Sequence, residues 1–385
     1  MRMTLTPLFA STTPRLYPAR AGGLALIVLL VCPVPRDRSA ASGNPGDGAA
    51  PSIKLVFHFQ AAKRVVELFD HSTVSDATLD ELVRLEDVQA IIRQAARFDP
   101  HATEQELKRS LRTAVEGGEL PGDLFQFQTV RARLADIRAL LGHLEANRES
   151  LSAQVADRIR VYSPRQLDLE VNVHFVLGGS SDGWVPKPRT FYVALQYFGA
   201  DYEGLKTVMA HELFHVAQSE FMPPQPSSQL PPNAFKAEGL LVATISEGTA
   251  SMVGDPLRAS GGGTYLRWFR DKFERNLARI DANFALFETL LYRLYHDPEA
   301  NFEELYRLGF SGTWDSPLYF VGYRIGKAIE KYDGAEAIAH LLGQPCTAFF
   351  LRYMSLYRQH QDDPELVHFG RPIEEILETL HRGGQ

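Results

Sequence analysis

Cysteine is nearly missing from this chain: two thiols in 385 residues, Cys32 and Cys346. If residues 1–41 are removed as a leader, only Cys346 remains, and no intrachain disulfide can form. Clustered Lys/Arg is missing too. The 40 bases and 47 acids are interspersed, with a net charge of −7, so no basic footprint for nucleic acid exists. Long apolar runs are absent. The longest, Ala21–Val31, falls short of the ~20 residues a spanning helix needs. No internal repeat is visible. What remains is an ordinary globular composition, 45% hydrophobic and 23% charged, in a chain long enough for a large core.

The first residues have a different character. Arg2, Arg15 and Arg20 precede the apolar run, and Pro33, Pro35 and Ser39-Ala40-Ala41 follow it. A basic segment, a short apolar core and a small-x-small site predict an export leader cleaved after Ala41. The mature protein is then expected in the periplasm or outside the cell, with no integral membrane domain. An uncleaved anchor or a lipidated Cys32 are the alternatives. Loss of five arginines and one aspartate would leave a net charge of about −11.

Residues 42–160 read as a mainly helical N-terminal region. Residues 42–51 are small and polar, and 53–59 form a short strand or a helix start. Apolar spacing of three to four residues then predicts helices over 61–70, 76–98, 103–116, 125–149 and 151–160. Ser75 or Asp76 can cap the second of these. From 161 to 385 the pattern changes. Leu167–Leu177 alternates apolar and polar, as a half-buried strand does. Gly178–Gly183 reads as a loop, and Phe191–Phe198 as a second strand leading into a helix over 201–221. An exposed edge strand at that place could hold an extended peptide. A proline-rich loop, Met222–Asn233, closes the helix, and helical patterns fill the rest. The fold class expected is α+β, mainly α.

The helix over 201–221 carries His211-Glu-Leu-Phe-His215. Positions i and i+4 share one helix face, so both imidazoles can reach one point, with Glu212 beside them. Two nitrogen ligands and a carboxylate in this spacing make up most of a hydrolytic zinc site. Val208, Met209, Leu213, Phe214, Val216 and Ala217 make the helix apolar around most of its circumference, which buries it. A buried charge needs a partner, and a divalent cation supplies one. Gln218 and Phe221 stand where the longer HExxHxxGxxH motif needs glycine and histidine, which excludes that arrangement. The third ligand is then a carboxylate: Glu220, Glu238 or Glu247. Glu220 points to another face of the same helix. Small residues around Glu247 would let two helices approach closely.

HELFH followed by Glu247-Gly-Thr-Ala250 resembles the gluzincin-type zinc metallopeptidases, and among them the poorly characterised bacterial families of predicted zinc-dependent peptidases. The resemblance spans roughly Leu167 to Tyr332. It implies a zincin-like catalytic region, a small sheet plus the HExxH helix. It also implies one Zn2+ per chain held by His211, His215 and Glu247, with Glu212 as general base and a peptide or protein as substrate. Glu247 is thereby preferred to Glu238. Related enzymes use a tyrosine in a Tyr-x-x-Gly pattern to stabilise the oxyanion. Two overlapping copies occur here, at Tyr319 and Tyr323, with Tyr319 preferred for its offset to the helix that follows. The aspartate that orients a ligand histidine in relatives would fall near Ser251 and is missing. No Gly-x-Met-x-Asn exopeptidase signature is present, so an endopeptidase is expected. The rival expectations are a non-catalytic zinc-containing binding protein of the envelope, and a zinc hydrolase of non-peptide amides or esters.

Overall fold

The computed structural model describes residues 51–223 and 230–383. The expected leader and the centre of the proline-rich loop lie outside these residues. The chain is α+β and mainly α.

Strand β1 (Ser52–His58) opens it, followed by helices α1 (Gln60–Leu68), α2 (Asp76–Val83), α3 (Glu86–Ala96), α4 (Glu104–Val115), α5 (Phe127–Ala132), α6 (Leu134–Ala146) and α7 (Arg148–Arg160). Then come β2 (Asp168–Val176), β3 (Gly183–Lys187) and β4 (Thr190–Ala194). The remaining helices are α8 (Tyr202–Phe221), α9 (Pro232–Val253), α10 (Thr264–Ala278), α11 (Ile280–His296), α12 (Phe302–Phe310), α13 (Pro317–Asp333), α14 (Ala335–Leu342), α15 (Cys346–Gln359) and α16 (Arg371–Gly383).

Two helices expected as single rods are broken. The 76–98 stretch divides at Leu85, whose extended backbone (ψ 131°) starts α3 afresh. The 125–149 stretch divides at Arg133 and again at Asn147, whose side-chain amide donates to His143 O at 2.8 Å and so ends α6. Ser75 caps α2 as expected, accepting from Thr78 N at 3.1 Å.

The sheet has the order β1-β2-β4-β3. β1 runs parallel to β2 and β2 to β4, while β3 is antiparallel to β4. The expected strand over 191–198 is therefore interior, and it ends early in a 3-10 turn at Leu195–Tyr197. The edge next to α8 belongs to β3, a strand the glycine-rich sequence did not suggest. Pro186 within β3 suits an edge, because it has no N–H to donate.

β1 comes from the N-terminal part of the chain and completes the sheet beside β2, so one hydrophobic core runs from Ile53 to Leu380. α8 lies on β3 and β4 and is buried from Gly204 to Gln218. Asp201 fixes its start. One carboxylate oxygen accepts from Gly204 N at 3.0 Å, and the other from Leu266 N at 2.7 Å, at the start of α10. A single buried aspartate thus caps two helices and sets their relation. α9 crosses α13 where Gly248 meets Gly322. A Cβ on either glycine would overlap the backbone of the opposite helix. Among the described residues no helix is long and apolar enough to cross a membrane.

Candidate metal centre

α8 turns His211, Glu212 and His215 inward, and α9 brings Glu247 to meet them. His211 Nε2 and His215 Nε2 are 3.0 Å apart. Glu247 Oε2 lies 3.4 Å from the first and 3.5 Å from the second. Tetrahedral zinc with bonds of about 2.0–2.1 Å holds its ligand atoms about 3.3–3.4 Å apart, so this triangle has the dimensions of three corners of such a site. It is also the one His/Cys/Asp/Glu group among the described residues with metal-holding geometry. The Glu247 side chain is fully buried, and neither of its oxygens has a hydrogen-bond partner of good geometry. A carboxylate so placed is costly without a cation.

The other expected ligands are elsewhere. Glu220 accepts from Arg189 Nε at 3.0 Å. Glu238 sits on α9 nine residues before Glu247, about two and a half turns away, and is not part of the cluster.

The surroundings supply what the sequence left unassigned. His215 Nδ1 lies 2.8 Å from Gln218 Oε1, an acceptor, so the ring proton sits on Nδ1 and the Nε2 lone pair faces Glu247. Gln218 is itself held, donating to Ser246 O at 3.0 Å and Thr249 Oγ1 at 2.8 Å on α9. The residue that breaks the longer motif is the one that orients a histidine. Its place three residues after His215, on the same helix face, is the signal that could have found it.

Charges in the cluster are shared unequally. Burial resists a charge on His215, but the Glu247 carboxylate outweighs it and raises the pKa; His211 is lowered by burial. For Glu247 burial is outweighed by His215 and His211, and its pKa falls. Glu212 is different. Burial, with Asp182 and Glu247 nearby, pushes its pKa up to about 8 even against the pull of His215. Its Oε2 has no hydrogen-bond partner. Gly183 of β3 packs directly on it, and a Cβ there would lie 2.8 Å from Glu212 Cγ. Only glycine leaves Glu212 in place under the edge strand.

The two tyrosines separate. The Tyr319 ring lies parallel to the His211 ring, with centroids 6.3 Å apart, and burial together with the Glu247 carboxylate holds its phenol pKa well above the ordinary value. Tyr323 turns away and donates to Asp255 Oδ2 at 2.9 Å. A cavity of about 470 Å³ beside Tyr323 and Arg324 contains none of the cluster residues. Its Lys327 pairs with Glu330 and its Lys331 with Asp363.

The fold thus packs an HExxH helix under a small sheet and brings a downstream glutamate to it from the next helix. Residues 79–362 match the model of the family described as "Putative zinc dependent peptidase (DUF5700)", and the chain belongs to that family. No curated protein and no solved structure matches it.

Proposed function

We propose that the protein is an exported zinc-dependent endopeptidase with Glu212 as its general base. The observation that carries this reading is the triangle of His211, His215 and Glu247, sized for zinc, with the unpartnered Glu212 Oε2 beside it. Zinc, when bound, supplies a Lewis acid that acidifies water and polarises a carbonyl. Glu212 takes a proton from the attacking water and returns it to the leaving amine, with its Oε2 left without a protein partner for the purpose. The Tyr319 hydroxyl, rather than that of Tyr323, donates to the developing oxyanion. The outer edge of β3 offers backbone groups to an extended peptide above Gly183. Export rests on the basic, apolar and small-residue pattern of residues 1–41.

A broad peptide-library digest, with zinc and with chelator, tests this. Cleavage with zinc, and a loss of about 10²–10⁴-fold in Glu212→Gln at unchanged zinc content, is the expected result. One observation favours the reading of a non-catalytic zinc protein: the cluster is nearly closed, His215 being the most open ligand at 8% exposure. A zinc-loaded protein that cleaves no peptide, amide or ester, and is indifferent to Glu212→Gln, would establish that reading. Turnover of simple esters or amides alone would point to the non-peptide hydrolase.

A further inference from the structure

Lys272 of α10 is 3% exposed and lies inside the protein with a single hydrogen bond among the described residues, Nζ to Ser316 Oγ at 3.3 Å. Its ammonium also stands 5.8 Å from the centroid of the Tyr319 ring. Burial resists the ammonium and lowers its pKa even though Asp315 and Asp182 favour the charge, and a methionine would fill the same space without that cost.

The turn it touches is strained. Asp315 (φ 66°) and Ser316 (φ 52°) are consecutive non-glycine residues in the left-handed region. Such backbone persists only when its surroundings hold it. The face of α10 does so through side chains spaced three, four and seven residues from Lys272. Arg275 and Arg279 reach Asp315 Oδ2 at 3.3 and 3.2 Å, and Asn276 donates to Asp315 O at 3.3 Å. Pro317 then starts α13, and Tyr319 N donates to Ser316 O at 3.2 Å. The clamped turn therefore sets the first turn of the helix that carries Tyr319 over His211. α10 is in turn tied to α8 by Asp201.

We propose that Lys272 is a positioning residue for Tyr319, holding the Ser316 hydroxyl and the Tyr319 ring so that the phenol stays beside His211 and Glu247. This rests on Tyr319 being the oxyanion donor of the proposed peptidase.

The test compares Lys272→Met, Tyr319→Phe and the double variant in two assays. In peptide turnover with zinc, Lys272→Met is expected to lower kcat by about 10–100-fold, with KM changed less than about twofold. In the Tyr319→Phe background the same change should cost less than about twofold, because the group it positions is gone. In the cobalt-substituted protein, Lys272→Met and Tyr319→Phe should shift the visible bands alike, and the double variant should shift them no further. Effects on kcat that multiply, or a Lys272→Met protein with wild-type kcat and cobalt spectrum, would overturn the proposal. Ser316→Gly removes the hydroxyl while accepting the left-handed backbone, so it stands in if Lys272→Met fails to fold, with the same non-additivity expected. If the wild type cleaves no peptide, the peptidase reading fails alone and the cobalt spectra still judge the coupling. Metal content reports separately whether the site takes up an ion, and a chain that binds none removes reading and inference together.

Discussion

At the scale of single residues, Gln218 and Glu212 show how neighbours set chemistry. Gln218 fixes one tautomer of His215 and is locked to α9 by two donated hydrogen bonds. Gln218→Ala should leave the fold intact and weaken zinc affinity by about 10–100-fold, measured by competition with a chromophoric chelator. Glu212 makes the metal-free protein sensitive to pH. Its folded pKa, about 8, lies above the ordinary 4.5. Between those values the folded state keeps a proton that the unfolded chain releases. Its contribution is therefore fully present below about pH 4.5 and is lost as pH rises through about 8. Asp182, fully buried and raised by burial, acts in the same direction. Thermal melts of the chelated protein should show a lower midpoint at pH 8 than at pH 5, and Glu212→Gln should reduce that difference. An equal slope in the variant would assign the effect to other groups.

At the scale of elements, the approach of α9 to α13 decides where Tyr319 sits. Gly248 and Gly322 touch backbone to backbone, so the glycine of the first Tyr-x-x-Gly copy is a packing residue. Gly248→Ala should cost about 1–3 kcal/mol by overpacking, read from urea midpoints. It should also lower turnover, because α13 must move and Tyr319 moves with it. The helical periods of the sequence located these elements well but not their breaks. Leu85, Arg133 and Asn147 interrupt helices at residues with no proline or glycine to announce the stop. β3 escaped notice for a related reason. Its Gly-Trp-Val-Pro-Lys lacks strand alternation and is held by pairing with β4 rather than by local propensity.

At the scale of the whole molecule, the sheet ties the two halves of the chain together. β1 pairs along its full length with β2, from Ser52↔Asp168 to His58↔His174. The family match, covering 79–362, spans residues 160 and 161 but begins after β1. A chain beginning at residue 161 would expose the edge of β2 and the faces of α8 covered by α7. We expect it to aggregate or lack a cooperative transition, whereas a chain beginning at residue 51 should melt as the full protein does; calorimetry distinguishes the two.

The sequence by itself determined that His211 and His215 share a helix face, because the 3.6-residue period is a property of any α-helix. It also determined that this helix is buried, because its apolar residues surround it. Which carboxylate closes the triangle was narrowed by resemblance to Glu247, and only the tertiary structure placed Glu247 Oε2 between the two histidines while leaving Glu220 with Arg189 and Glu238 outside the cluster. The same holds for the tyrosines. Two copies of one motif stand four residues apart, and in the sequence only the offset to the following helix favoured Tyr319. The close approach of α13 to α9 at Gly322 and Gly248 goes with Tyr319 lying beside His211 and Tyr323 bonding Asp255. Period and burial are local properties that a sequence carries. The meeting of side chains from separate helices depends on how those helices pack, and that is decided by contacts far apart in the chain.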